Sequence, residues 1–156
     1  MASISSLVAR LKTDYPQFRF VSGDDFRWQP DTATISYSTV HGSAAELLHE
    51  LAHAKADHRD FSHDVRLIEM ERDAWQLARS ELAPRYQTSI DDDTVEAALD
   101  TYRDWLHARS LCPNCKATGI QAGRTQYRCL ACLASWRVND ARHCALRRYR
   151  DTKNPA

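Results

Sequence analysis

Apolar residues recur along the chain with two periods, one helical and one strand-like, and the switches between them outline its elements. Ile4, Leu7, Val8 and Leu11 stand at helical spacing and predict a first helix over residues 3–14. Phe18-Arg19-Phe20-Val21 alternates as a strand does, and Ser22-Gly23-Asp24-Asp25 reads as a turn. Phe26-Arg27-Trp28 and Thr34-Ile35-Ser36-Tyr37 predict a strand pair around Gln29-Pro30-Asp31. Ser43-Ala44-Ala45-Glu46 then opens a second helix, because a Ser followed three residues later by Glu can satisfy two helix-end N–H groups at once. On that helix Leu47, Leu48 and Leu51 share one side, while His49, Glu50 and His53 take the other beside Ala45, Ala52 and Ala56. Further helices are predicted over 64–83, stopped by Pro84, and over 91–109, where Val95, Ala98, Leu99, Tyr102 and Leu106 form the apolar stripe. Asp91-Asp92-Asp93 reads as capping for the latter, and Trp28, Trp75 and Trp105 read as core. The order of helix, small sheet and then helices makes the fold class α+β.

Composition adds a boundary. A chain of 156 residues with 43% hydrophobic and 27% charged residues suits one domain, or one domain with a small module. Its formal net charge of +0 hides an asymmetry. Residues 1–109 carry 12 Lys/Arg against 19 Asp/Glu, a balance of −7, whereas residues 110–156 carry 9 against 2, a balance of +7. The expected division is therefore a domain over 1–109, a cysteine-bearing module over 110–140 and a basic tail over 141–156. No apolar run is long enough to span a membrane, and the N-terminus lacks the pattern of a signal peptide, so the expected location is cytoplasmic.

The second helix carries the chemistry. Residues four apart lie about 40° apart around an α-helix, so His49 and His53 project side by side and can share one metal. Glu50 stands next to them, where its carboxylate can take a proton from water activated by that metal. A catalytic zinc usually takes three protein ligands, so one is still wanted. In the helix over 64–83, Glu71 falls in the middle of the stripe formed by Leu67, Ile68, Ala74, Trp75, Ala78 and Leu82, while Glu69 and Asp73 point to the polar side. A carboxylate on a buried face is costly unless paired or bound to metal, which makes Glu71 the expected third ligand and His63 its main rival. His58 would fall on the Leu side if the helix carrying His53 continued. Tyr37, His41, His58 and His63 are all candidates for stabilising an oxyanion.

His49-Glu50-Leu51-Ala52-His53, followed by Glu71-Arg72-Asp73-Ala74-Trp75, resembles the ImmA/IrrE family of zinc peptidases across roughly residues 30–83. That resemblance implies a zincin-like minimal metallopeptidase core, a small sheet plus active-site helices, with His49, His53 and Glu71 as zinc ligands and Glu50 as catalytic base. It also implies a protein substrate, a helix-turn-helix repressor being typical of the family. SprT-like proteases are a second resemblance, since they too pair His-Glu-x-x-His with a C-terminal zinc ribbon, but their third ligand is a more distant histidine near a His-Gly that is missing here.

Cys112-Pro113-Asn114-Cys115 and Cys129-Leu130-Ala131-Cys132 can close four thiolates around a structural zinc. With strands at Gln126-Tyr127-Arg128 and Ser135-Trp136-Arg137-Val138 they predict a zinc ribbon, and Cys144 is left over as a free thiol. The expected cofactors are thus two zinc ions, one catalytic and one structural. Arg128, Arg137, Arg147 and Arg148, among other basic residues including Arg142 and Lys153, could contact DNA or RNA. The same charges could instead dock on acidic protein surface. Two other classes stay open: a nucleic-acid-binding protein with the metal helix as scaffold, and a metal hydrolase that is not a peptidase.

Overall fold

The computed structural model of the chain describes residues 3–139 and 146–151. Cys144, Arg142, Lys153 and most of the basic tail lie outside the described residues. The fold is α+β with small sheets, and its packing separates two units. One holds residues 1–60 and 69–96; the other holds residues 61–68 and the chain from 97 onward.

The first unit opens with α1 (Ile4–Asp14), where the Ser3 hydroxyl accepts from the Ser6 N–H and Leu7, Val8 and Leu11 are buried. Three short strands follow, β1 (Arg19–Ser22), β2 (Arg27–Gln29) and β3 (Thr34–Tyr37). β3 lies in the middle, parallel to β1 and antiparallel to β2, which leaves β2 at an edge. The turn between β2 and β3 is the expected one: a 3-10 turn over Pro30–Thr32 that Ala33 closes in the left-handed region at φ 47°.

Helix α2 (Ala44–Lys55) carries the reciprocal cap that its sequence predicts. The Ser43 hydroxyl accepts from the Glu46 N–H, and the Glu46 carboxylate accepts from the Ser43 N–H, an arrangement worth about 1 kcal/mol. Leu47, Leu48 and Leu51 are fully buried, each contributing about 1.5–3 kcal/mol relative to exposure. The helix does not continue toward His58. Asp57 enters the left-handed region at φ 49°, and the His58 N–H returns to the His53 carbonyl at 3.0 Å. This closing turn folds His58 back, away from the Leu side where a continued helix would have put it.

Helix α3 (Asp64–Leu77) also departs from expectation at its end. Pro84 does not stop the helical run, which passes through a π-helical turn at Ala78–Leu82 into the short α4 (Ala83–Arg85). A proline ring collides with the carbonyl four residues back in regular α-helix. In the π turn the bonds reach five residues back, as from the Ala83 N–H to the Ala78 carbonyl, and Pro84 sits at the start of α4, where its missing N–H costs nothing.

Helix α5 (Asp92–Ser110) is capped by the Asp91 carboxylate, which accepts the Thr94 N–H at 2.8 Å. In the second unit β4 (Ile120–Gly123), β5 (Gln126–Arg128), β6 (Ser135–Val138) and β7 (Arg148–Arg150) form an antiparallel sheet in that order. β5 and β6 are the strands legible in the sequence, and β4 and β7 extend them. The core beneath is small: Cys112, Tyr127, Cys129, Trp136 and Val138. Gly119 is needed there, since a Cβ would press on the Trp136 ring and lie 2.9 Å from the Arg128 carbonyl. Arg109 is fully buried against it, its guanidinium 4.6 Å from the Trp105 ring centre and its carbonyl accepting the Trp136 indole N–H at 3.1 Å. Among the described residues no helix is long and apolar enough to cross a membrane.

Candidate metal centres

His49 and His53 stand one turn apart on α2, and Glu71 lies two turns into α3; all three are buried. His49 Nε2 is 3.0 Å from Glu71 Oε2 and 3.0 Å from His53 Nε2, and His53 Nε2 is 3.5 Å from Glu71 Oε1. A tetrahedral zinc with bonds of about 2.0–2.1 Å separates its ligand atoms by about 3.3 Å, so the donor types and their spacing fit that ion. Glu69 and Asp73 are exposed on the opposite side of α3, as the helical wheel requires. His63 is exposed with Nδ1 2.9 Å from the Ser62 hydroxyl, and it is not a member of the group.

The electrostatics of the cluster follow from burial and close opposite charge. Burial alone would raise the Glu71 pKa, but hydrogen bonds from His49 and His53 outweigh it and hold the carboxyl well below the usual carboxylate range. Burial alone would lower the His53 pKa, but the Glu71 hydrogen bond and charge, with the charge of Glu50, shift it upward. The His49 ring stacks on Trp75 with centroids 4.1 Å apart and an interplanar angle of 18°.

Glu50 points along the same side of α2 and is half-buried. Its Oε2 accepts the Trp28 backbone N–H at 2.6 Å, a donor that the edge position of β2 leaves available. The Trp28 indole N–H in turn donates to the His58 carbonyl at 2.9 Å. His58 Nδ1 lies 2.9 Å from His53 Nδ1, behind the imidazole whose Nε2 faces Glu71. Reading the chain as an uninterrupted helix hides this contact. The only sequence signal for it is an Asp at position 57, a residue type that tolerates the left-handed turn. Of the other oxyanion candidates, Tyr37 is buried at the end of β3 and His41 is exposed before α2.

The four cysteines form a second group in the other unit. Cys112 Sγ is 3.6 Å from Cys132 Sγ, and Cys115 Sγ is 3.5 Å from Cys129 Sγ. Tetrahedral thiolates at about 2.3 Å from zinc stand about 3.8 Å apart, close to this spacing. Both Cys-x-x-Cys turns have one backbone form: Lys116 N–H returns to the Cys112 carbonyl and Leu133 N–H to the Cys129 carbonyl, each at 3.0 Å. The residue after each second cysteine takes the left-handed region, Lys116 at φ 67° and Leu133 at φ 63°. The Ala134 backbone N–H, then the Asn114 side chain, pull the Cys132 thiol down to about 6, toward the thiolate that a metal requires. The His49–His53–Glu71 and the four-cysteine groups are thus each able to hold a metal ion, and both donor sets are consistent with zinc.

Strand alternation sorts the arginines of the second sheet. Tyr127, Trp136 and Arg150 are cross-strand partners on the inner face, as are Val138 and Arg148. Arg148 donates to the Leu111 carbonyl at 3.1 Å and Arg150 to the Pro113 carbonyl at 3.2 Å, so both brace the first cysteine turn. The outer face carries Arg128 beside Ile120, and Arg137 between Gln126 and Tyr149, all exposed. Arg147 is also exposed, just before β7. Comparison with known proteins supplies no neighbour for either centre: no family model, no curated protein and no solved structure matches the chain.

Proposed function

We propose that the protein is a zinc-dependent metallopeptidase with a zincin-like core and a zinc ribbon. The observation that carries this reading is the convergence of His49, His53 and Glu71 at zinc-ligand spacing, with the Glu50 carboxylate on the adjoining helical position. The likeness of the two short motifs to the ImmA/IrrE pattern supports it, and on that likeness a cytoplasmic repressor is a reasonable first substrate to try. When bound, zinc supplies a Lewis acid that acidifies water and polarises a carbonyl. Glu50 accepts the proton of the attacking water and returns it to the amine nitrogen as the C–N bond breaks, so one carboxylate serves as base and then as acid. The Trp28 N–H holds Glu50 Oε2, and the second carboxylate oxygen would take up the proton.

The test is metal analysis combined with proteolysis of a quenched fluorescent protein. Wild type should hold two zinc ions, and Glu50→Gln should keep both while cleavage falls by about 10²–10⁴-fold. A wild-type protein with one zinc, lost on Cys112→Ser, would remove the reading.

A second reading is favoured by the sorted arginines: the outer face of the four-stranded sheet binds single-stranded nucleic acid through Arg128 and Arg137, with Tyr149 as a stacking surface. Arg128→Glu with Arg137→Glu should abolish salt-sensitive retention of a labelled oligonucleotide, while Glu50→Gln leaves it unchanged. Retention that survives the double substitution would discard this reading.

A further inference from the structure

We propose that His58 is a positioning residue for the metal ligand His53, and that Trp28 ties this pair to Glu50. The inference rests on the metal reading of the His49–His53–Glu71 group. A neutral imidazole carries one proton, so the nitrogen offered to a metal is decided by the hydrogen bond of the other nitrogen. His53 Nε2 faces His49 and Glu71, at 3.0 and 3.5 Å. Nε2 must therefore present its lone pair to the ion, and the His53 proton must stand on Nδ1. The group 2.9 Å from that nitrogen is His58 Nδ1. Only one proton fits between two nitrogens at this separation, so His53 Nδ1–H donates, His58 Nδ1 accepts, and a neutral His58 carries its own proton on Nε2.

Ligating histidines usually give their second N–H to a carboxylate or a backbone carbonyl. An imidazole in that place adds no charge beside the metal group, and it fixes the orientation of the His53 ring through a directional contact. The backbone makes the contact possible. Asp57 in the left-handed region and the His58 N–H on the His53 carbonyl turn the chain back at the end of α2, which brings residue 58 alongside residue 53. The position is held from outside by Trp28, whose indole N–H donates to the His58 carbonyl at 2.9 Å. The backbone N–H of the same residue holds Glu50 at 2.6 Å. One residue of an edge strand thus orients the ligand side and the base side of the site together. Losing the Trp28 indole N–H should loosen His58 and through it the ligand, while the backbone N–H keeps its hold on Glu50.

The experiment uses the full chain and reads metal affinity rather than turnover. Zinc is competed against a chromophoric chelator, with the tighter four-thiolate zinc as an internal reference, in wild type, His58→Ala, His58→Asn and Trp28→Phe. Asn can place an oxygen where His58 Nδ1 stands and accept the same proton, so it is the conservative variant. His58→Ala should weaken zinc at the His/Glu group by about 10- to 100-fold, the range for losing an outer partner of a ligand. His58→Asn should restore most of that loss, and Trp28→Phe, which keeps an aromatic side chain but loses the indole N–H, should show a smaller one. In the zinc-loaded wild type, nitrogen-resolved NMR should find the His53 proton on Nδ1 in a hydrogen bond, and that signal should weaken in His58→Ala. Affinity in His58→Ala within twofold of wild type, or a loss that Asn does not relieve, would overturn the role of His58 while leaving the metal reading standing. A wild-type chain that binds zinc only at its cysteines would overturn both.

Discussion

The His49–His53–Glu71 group takes its donors from α2 and α3, helices that bury Leu47, Leu48, Leu51, Ala74 and Trp75 whatever the metal does. The four cysteines sit in turns above a core of Cys112, Tyr127, Cys129, Trp136 and Val138, in which two of the members are themselves donors. Three donors on a preformed scaffold leave a metal position for water and substrate, while four donors on a marginal scaffold close the coordination sphere. On the proposed metal reading, the first arrangement would use a fold to hold a metal, and the second a metal to hold a fold.

The largest effect expected from this difference is on stability. Zinc removal, or Cys129→Ser, should unfold the four-stranded sheet, because binding free energy on the order of 10 kcal/mol is folding free energy in such a module. Hydrogen exchange reads the outcome: backbone amides of β5 and β6 should lose protection while those of α2 keep theirs. Protection of β5 that survives chelation would erase the contrast between the two groups.

A second effect separates them by pH. In the metal-free protein the Glu71 pKa is depressed, so its contribution to stability is present above the unfolded value near 4.3 and is lost as pH falls. The His53 pKa is raised, so its contribution is present below the unfolded value near 6.5 and fades as pH rises through the folded value. Their pairing is therefore worth most between about pH 4.3 and 6.5. Melting temperature against pH should show a maximum in that window, which Glu71→Gln flattens. An unchanged profile in Glu71→Gln would mean that the buried pair does not couple to folding.

The two groups also differ in how far they could be read from sequence. The cysteine turns are local, so spacing alone located all four donors, and the capping box at Ser43–Glu46 placed α2 for the same reason. Glu71 was reachable through burial, because only a carboxylate on an apolar stripe demands a partner, and the structure brings it to both histidines. His58 was not reachable that way. Its place depends on a left-handed Asp57, which helical periodicity cannot express. The helical run through Pro84 was missed for a related cause: a π turn shifts the bonding by one residue, and the local rule for proline assumes regular α geometry. Arg109 shows the limit on charge, since a fully buried guanidinium stacked on Trp105 looks in sequence like any surface arginine.

The smallest effect sharpens what holds the cysteine turns. Leu133 takes φ 63° and the residue is 63% exposed, so it meets the backbone demand of the turn with a residue that has little packing to offer in return. A left-handed conformation costs a side-chain-bearing residue roughly 1 kcal/mol relative to glycine, partly offset by the greater freedom of glycine in the unfolded chain. Leu133→Gly should therefore leave the thermal stability of the zinc-loaded protein unchanged or raise it by up to about 1 kcal/mol. Leu130 is the control: it is 68% exposed in the same turn, but its φ is not positive. Leu130→Gly should lower stability by about 0.5–1 kcal/mol, as glycine does where no left-handed conformation is required. Equal losses in the two variants would show that the turn geometry is imposed by the metal at no cost to the backbone, and that the strain assigned to Leu133 is not stored there.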